Sequence, residues 1–398
     1  MTCREIMPGI QWVGVNDWDR RLFDALIPLP DGTSYNAYLI RGSDKVALID
    51  TVDPTKTEDL LENLRAAGIS SLDYVVVSHA EQDHSGAIPR VVEEFPGVKV
   101  VTNDKCREFI QSLLHLPDEV FLTIKDGETI SLGGRTLEFL VTPWVHWPET
   151  MLTYLREEKI LFTCDLFGSH LASSDLYAHK KDGVYKAAKR YYAEIMMPFR
   201  GSIRKHLERL QGYAIDLIAT SHGPIWDDPE FILDAYRGWV TDQVENVVLI
   251  PFVSMHGSTR RMVDYLVDGL ITRGIRVHPF NLTVTDIGEL ATALVDAATI
   301  VLGTPTVLFN PHPSAVYAAH LTRILKPKTH YVTVIGSYGW GGKTVSVITD
   351  MLAGSSMKFL DPVLVKGNPT EDDFRALDAL ANAIAKRHQE DPLVVKRG

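Results

Sequence analysis

The sequence predicts an α/β protein of two domains, the second a doubly wound parallel sheet, and three observations carry that prediction. The chain has 398 residues, more than one ordinary hydrophobic core accommodates. Its first half mixes short strands, helices and turns, with acids and histidines recurring at strand ends. From Asn246 onward strands and helices alternate in the regular order that builds a parallel sheet.

Composition narrows the function. Hydrophobic residues make up 45% of the chain, enough for two cores, and a formal net charge of −11 with no block of Lys and Arg argues against the basic face that nucleic-acid binding needs. Cys3, Cys106 and Cys164 form no CxxC pair, so neither a disulfide framework nor a thiolate metal site is expected, and a reducing cytoplasm fits. Met1 to Arg21 has no apolar core. No run approaches the roughly 18 apolar residues of a membrane span. A cytoplasmic protein with no nucleic-acid or membrane partner is the expectation.

In the first half, Asn36 to Ile40 and Val46 to Asp50 read as a hairpin, followed by a helix near Lys56 to Ala67 that Gly68 ends. Tyr74-Val75-Val76-Val77 is β-branched and aromatic, a buried strand. It delivers Ser78-His79-Ala80-Glu81-Gln82-Asp83-His84-Ser85-Gly86, where four side chains that can bind a metal fall within six residues. A loop lets His79, Glu81 and Asp83 converge, whereas a helix would turn them to different sides, so a loop is expected. A polar surface loop would explain a chance histidine pair, but not four candidate ligands closed by a glycine. Helices near Ala87 to Phe95 and Asp104 to Leu114 flank a strand at Val98 to Thr102. The strand Arg135 to Val141 leads into Thr142-Pro143-Trp144-Val145-His146-Trp147-Pro148, where prolines enforce loop geometry and two tryptophans can keep water from His146.

Two more strands, Lys159 to Asp165 and Asp216 to His222, end in an acid and a histidine. Singly, a strand-end Asp is most often a cap and Ser-His-Gly-Pro a turn. Together, His79, Glu81, Asp83, His146, Asp165 and His222 are a binuclear set, in which a carboxylate such as Asp165 can bridge. Nitrogen and oxygen ligation without sulfur suits iron, manganese or zinc, and the carboxylate charge favours redox iron over hydrolytic zinc. His84 reads either as a seventh ligand or as an outer imidazole that tunes a bound water.

After a helix near Pro229 to Val240 the boundary falls near Asp242 to Glu245, giving domains of residues 1–243 and 246–398. Strands follow at Asn246 to Phe252, Ile275 to Pro279, Ile300 to Gly303, Tyr331 to Gly336 and Pro362 to Lys366, separated by helices. The first turns through Ser254-Met255-His256-Gly257-Ser258-Thr259 directly into a helix, and amides and hydroxyls at a helix N-terminus suit a phosphate. Ordinary βα turns are also rich in Gly and Ser. Two further strand ends strengthen the reading, Gly303-Thr304-Pro305-Thr306 and Gly336-Ser337-Tyr338-Gly339-Trp340-Gly341-Gly342, because a parallel sheet gathers all three at its carboxyl edge. Small residues leave room for a flat ring that Tyr338 and Trp340 would wall. With no GxGxxG, FMN is favoured over NAD.

The His79 to His84 loop with His146, Asp165 and His222 resembles the metallo-β-lactamase-like domain of the flavodiiron proteins, or A-type flavoproteins, and the three second-half loops resemble their flavodoxin domain. The resemblance spans nearly the whole chain. Hydrolases of the superfamily usually carry histidine at the place of Glu81, and the carboxylate accompanies the diiron site. The resemblance implies an N-terminal metallo-β-lactamase-like αββα sandwich followed by a flavodoxin-like doubly wound sheet. It implies one iron held by His79, Glu81 and His146, another by Asp83 and His222, Asp165 bridging them, and an FMN that delivers electrons. The reaction implied is reduction of dioxygen to water, nitric oxide to nitrous oxide, or both. Electrons would come from a reduced deazaflavin coenzyme or a separate rubredoxin, since no paired CxxC module is present. Leu308 stands where many members have Asn, with Asn310 two places later. The connector Thr241 to Glu245 is too short for a swinging arm. A head-to-tail homodimer, as the family implies, or a dimer of dimers, would set the FMN of one chain against the irons of another. Readings from other classes are a binuclear zinc hydrolase with a flavodoxin-like accessory domain, and an electron carrier with a vestigial first domain. Glu81, the flavin loops and the complete ligand set speak against them.

Overall fold

The computed structural model describes residues 3–179 and 181–396. Two compact units form, one from Met1–Tyr192 with Phe199–Val240, the other from Ala193–Pro198 with Thr241–Gly398.

The first unit stacks two sheets. One runs in the order Arg4–Met7, Ile10–Trp12, Tyr38–Arg41, Val46–Ile49, Tyr74–Val76, Lys99–Thr102, Phe121–Thr123, and the other Thr129–Ser131, Thr136–Val141, Met151–Leu155, Ile160–Cys164, Leu217–Thr220. Side-chain alternation decides which way each strand faces. Tyr38, Ile40, Ala47, Ile49 and Val76 point into a core shared with Phe139, Met151 and Phe162 of the second sheet. Leu39, Leu48 and Val75 point the other way, onto Leu60, Leu64, Val91 and Ile110 of the helices Thr57–Ala66, Ile88–Glu94 and Asp104–Leu114. Outside the second sheet, the helix Arg200–Leu210 is tied to it where Arg209 donates to the Val141 carbonyl at 3.2 Å. The result is the predicted αββα sandwich.

The strand Met151–Leu155, buried at every position, was not read from the sequence. The helices Lys181–Tyr191 and Arg200–Leu210 were also missed. The expected metal loop needs a correction: Gln82–Ser85 is a single α-helical turn. It is pinned where Thr51 donates its backbone N–H and hydroxyl to the His84 carbonyl at 2.8 and 2.6 Å, and where the Ser85 hydroxyl donates to Ala80 at 2.7 Å. Gly86 follows because a Cβ there would stand 2.5 Å from the Pro54 ring.

In the second unit the sheet runs Arg276–Asn281, Val244–Phe252, Ala297–Val307, Tyr331–Tyr338, and both Lys358–Phe359 and Val363–Lys366 pair with the last of these. All these pairings are parallel, in the order second, first, third, fourth, fifth. The helices Ser258–Ile271 and Glu371–Glu390 cover one face through Met262, Leu266, Leu377 and Ile384. The topological switch lies between the first and third strands, and in open parallel sheets ligands bind there.

Candidate metal and flavin sites

Four strand ends deliver the metal set, and a fifth supplies a support beneath it. His79 follows Tyr74–Val76, His146 follows Thr136–Val141, Asp165 follows Ile160–Cys164 and His222 follows Leu217–Thr220, while Asp50 leaves Val46–Ile49 from below. All six predicted ligands meet, in two groups. Glu81 Oε2 lies 3.1 Å from both His79 Nε2 and His146 Nε2. Asp83 Oδ2 lies 3.1 Å from His222 Nε2 and 3.3 Å from His84 Nε2. Asp165 faces both: its Oδ2 is 3.4 Å from His146 and 3.7 Å from His79, and its Oδ1 is 3.0 Å from His84 and 3.4 Å from His222.

The ambiguous His84 therefore turns its Nε2 into the second group. Both oxygens of Asp83, both ring nitrogens of His84 and Asp165 Oδ2 are buried and have no hydrogen-bond partner among the described residues. Buried polar atoms left bare are costly, and a set of bare carboxylate oxygens and imidazole nitrogens converging on two points fits a pair of cations. The charges agree. Burial alone would lower the imidazole pKa values, but Asp165 and Asp83 push His222 up to about 10, and Asp165 and Glu81 push His146 up to about 9. The pocket thus favours positive charge, whether borne by a proton or a metal.

Outer partners fix the imidazoles. Glu149, fully buried, accepts from His79 Nδ1 at 2.8 Å and the Ala80 N–H at 3.1 Å. His222 Nδ1 donates to the Ser34 carbonyl at 2.7 Å, and the buried Tyr191 hydroxyl donates to Asp165 Oδ1 at 2.8 Å. Asp50 ties two ligand loops from beneath, accepting from the Ser78 N–H at 2.7 Å and the Ser221 hydroxyl at 3.3 Å. Of the two flanking tryptophans only Trp147 shields the site, its ring edge-on to His79 at 4.8 Å; Trp144 is half exposed and stacks on Phe199.

Sequence reasoning missed Glu149, Tyr191 and Asp50. Asp50 carried the strand-end signal already used for Asp165; Glu149 and Tyr191 carried none. It also missed Asp24, whose carboxyl meets Glu81 at the mouth of the site, where burial and the charges of Glu81 and Asp83 raise it to about 6. Cys164 brings a sulfur close to His84 and Asp165. Burial pushes its thiol well above the ordinary value, which disfavours the thiolate.

In the second unit a cleft of about 320 Å3 opens at the switch point. Its wall includes Ser254, Met255, His256, Ser258, Thr259, Pro305, Thr306, Ser337, Tyr338, Gly339 and Trp340 of the predicted set, together with Gly367, which follows the last strand. Gly257 turns the chain at φ +90° so that the helix begins at Ser258. Asn310 lies outside the wall and donates to the Leu308 carbonyl at 3.0 Å, and Gly341 and Gly342 also lie beyond it.

A β-lactamase-type sandwich with a two-point carboxylate and imidazole site, followed by a flavodoxin-type sheet with a mononucleotide cleft, defines a class of two-domain flavoprotein oxidoreductase. The model of the ODP family beta lactamase matches residues 33–223. The nitric oxide reductase of Moorella thermoacetica is 35% identical over 393 residues, covering 96% of this chain and 98% of that protein. Rubredoxin oxygen:oxidoreductase from Desulfovibrio gigas superposes with a TM-score of 0.93 at 30% identity, over 96% of this chain and 98% of that one. The flavodiiron protein from Giardia intestinalis superposes with a TM-score of 0.89 at 29% identity, over 97% of each chain. The chain belongs to the flavodiiron protein family. It is an oxidoreductase whose cofactors are FMN and a diiron centre, and these relatives support that reading over the zinc hydrolase.

Proposed function

We propose that this chain reduces dioxygen, nitric oxide or both at a pair of irons, one held by His79, Glu81 and His146, the other by Asp83, His84 and His222, with Asp165 bridging. The observation that carries this reading is the division of Asp165, one oxygen turned toward each group. When bound, the iron pair would supply the reduction, with electrons entering through FMN in the cleft of the second unit. The chain's own residues set the stage. Glu149 and Ser34 hold the far nitrogens of His79 and His222, so that each Nε2 is free to face a metal. Tyr191 holds the bridging carboxylate by a hydrogen bond. Trp147 keeps water from the inner side, while Glu81 and His146, about 15% exposed, mark the side on which a small diatomic molecule arrives.

The Ser254 to Thr259 loop would hold the FMN phosphate, and Tyr338 and Trp340 would wall its ring. The donor is a rubredoxin or a reduced deazaflavin coenzyme, both of which serve relatives. The domains divide at 1–243 and 246–398. Among the described residues no helix is long and apolar enough to cross a membrane, and the three cysteines are free, which supports a cytoplasmic place. A head-to-tail dimer, or a dimer of dimers, is supported by exposed apolar side chains around each site: Leu22, Leu26 and Trp144 near the metal ligands, and Met255, Leu308, Phe309 and Trp340 around the flavin cleft.

Metal analysis and an absorption spectrum of purified protein test the reading. Two irons and one FMN per chain are expected. Two zincs and no flavin band would overturn it.

A further inference from the structure

A second cleft, of about 310 Å3, opens in the first unit along Arg4, Trp12, Asn16, Trp18 and Asn63, and none of these is a metal ligand. Arg4 lays its guanidinium 4.5 Å from the centroid of the Trp12 ring, and Nη1 donates to the Ser174 carbonyl at 2.7 Å. Trp12 is itself fixed, its indole N–H donating to Asn36 Oδ1 at 2.8 Å. No carboxylate pairs with Arg4 among the described residues; the nearest acidic influence is Asp175, which burial outweighs, so the guanidinium pKa falls below the ordinary arginine value. A half-buried guanidinium with donors to spare and no carboxylate within ion-pair distance among the described residues is suited to an anion.

Two further observations define what the anion is attached to. Asn63 is almost wholly buried at the floor; its amide nitrogen donates to the carbonyls of Val13 at 3.1 Å and Gly14 at 2.9 Å, and its Oδ1 has no donor. A buried acceptor left bare calls for an N–H or O–H group. Trp18 is half exposed, which leaves an indole face free for a flat ring. The volume matches the flavin cleft, which is of mononucleotide scale.

We propose that this cleft binds a nucleoside monophosphate, with the phosphate on the Arg4 fork, the base against Trp18 and a base N–H on Asn63 Oδ1. The site is separate from the flavin cleft, and the ligand takes no part in the reduction.

The test titrates GMP into FMN-saturated, iron-loaded protein by calorimetry. One saturable site per chain is expected, with a dissociation constant below about 1 mM. Arg4→Gln and Trp18→Ala should each weaken it at least tenfold while FMN content and melting temperature stay unchanged. Guanosine and inorganic phosphate should each bind at least tenfold more weakly than GMP. No saturable heat, equal affinity in both variants, or benzoate binding more tightly than GMP would overturn the proposal. So would GMP binding that disappears once excess FMN is present, since the nucleotide would then have been in the flavin cleft.

Discussion

Replacing Glu149 by Gln isolates one charge behind one metal group. The Glu149 Oε1 accepts from His79 Nδ1 at 2.8 Å and from the Ala80 N–H at 3.1 Å, both inside the core. An amide oxygen preserves both hydrogen bonds and nearly the whole shape, so the His79 loop keeps its path. What disappears is the negative charge that makes the imidazole a stronger metal ligand. Outer partners of this kind are worth 10–100-fold in metal affinity, roughly 1.4–2.7 kcal/mol. The loss should fall on the iron held by His79, Glu81 and His146. The assay is competition with a graded chelator, reading irons per chain, with bound FMN as the control for folding. One iron should leave at 10–100-fold lower chelator than in the parent, and the other should be nearly unmoved. Equal weakening of both irons, or a loss under threefold, would refute the reasoning.

Four other outcomes follow from the same geometry. Asp165→Ala should strip more than one iron per chain, whereas His222→Ala should weaken chiefly one; equal metal contents in the two variants would rule out the bridge. Ser258→Glu sets a negative charge at the helix N-terminus where the flavin phosphate should lie, so FMN should bind at least tenfold more weakly, read by fluorescence of released flavin. His388 is buried between Thr299 and Asn246, and burial lowers its pKa to about 4 against an ordinary 6.5. Its contribution is therefore complete above pH 6.5 and is lost as pH falls toward 4, roughly 2 kcal/mol between pH 7 and 4.5, and denaturant titrations of the His388→Gln variant should show a correspondingly flatter slope in that window. In the proposed dimer, a His146→Ala chain mixed with a Ser258→Glu chain should recover turnover after subunit exchange, because the intact flavin and the intact iron pair then lie on different chains. Continued inactivity of verified mixed dimers would mean that electrons travel within one chain.

The parts of the site legible in the sequence were those whose chemistry is carried by residue type at a strand end. His79, Glu81, Asp83, His146, Asp165 and His222 all stood out that way, and the structure gathers them into two groups. The helical turn at Gln82–Ser85 was hidden in part because two of the hydrogen bonds that pin it come from Thr51, far away in sequence. Glu149 and Tyr191 were hidden for a related reason: a Glu beside a proline and a Tyr in a basic helix carry no local mark of the long-range contact that gives them a role. In the second unit regular alternation made the sheet easy to read. The Leu308-Phe309 turn was not, since both residues take positive φ where Asn or Gly would be expected. Gly367 joins the cleft only because the fifth strand lies beside the fourth.

A carboxylate divided between two groups makes their occupancies depend on each other. A first cation captured at one oxygen of Asp165 would orient the side chain and draw its charge to that side, while fixing the second oxygen in the place the other cation needs. By reciprocity, whatever the first does for the second, the second does for the first. The fixed orientation favours joint filling and the repulsion between cations opposes it, and Tyr191, already holding Oδ1 at 2.8 Å, has reduced the cost of orientation before either arrives. A graded iron titration of the cofactor-free chain therefore measures this balance directly: a scarcity of singly loaded molecules means that orientation prevails, and an abundance of them means that repulsion does.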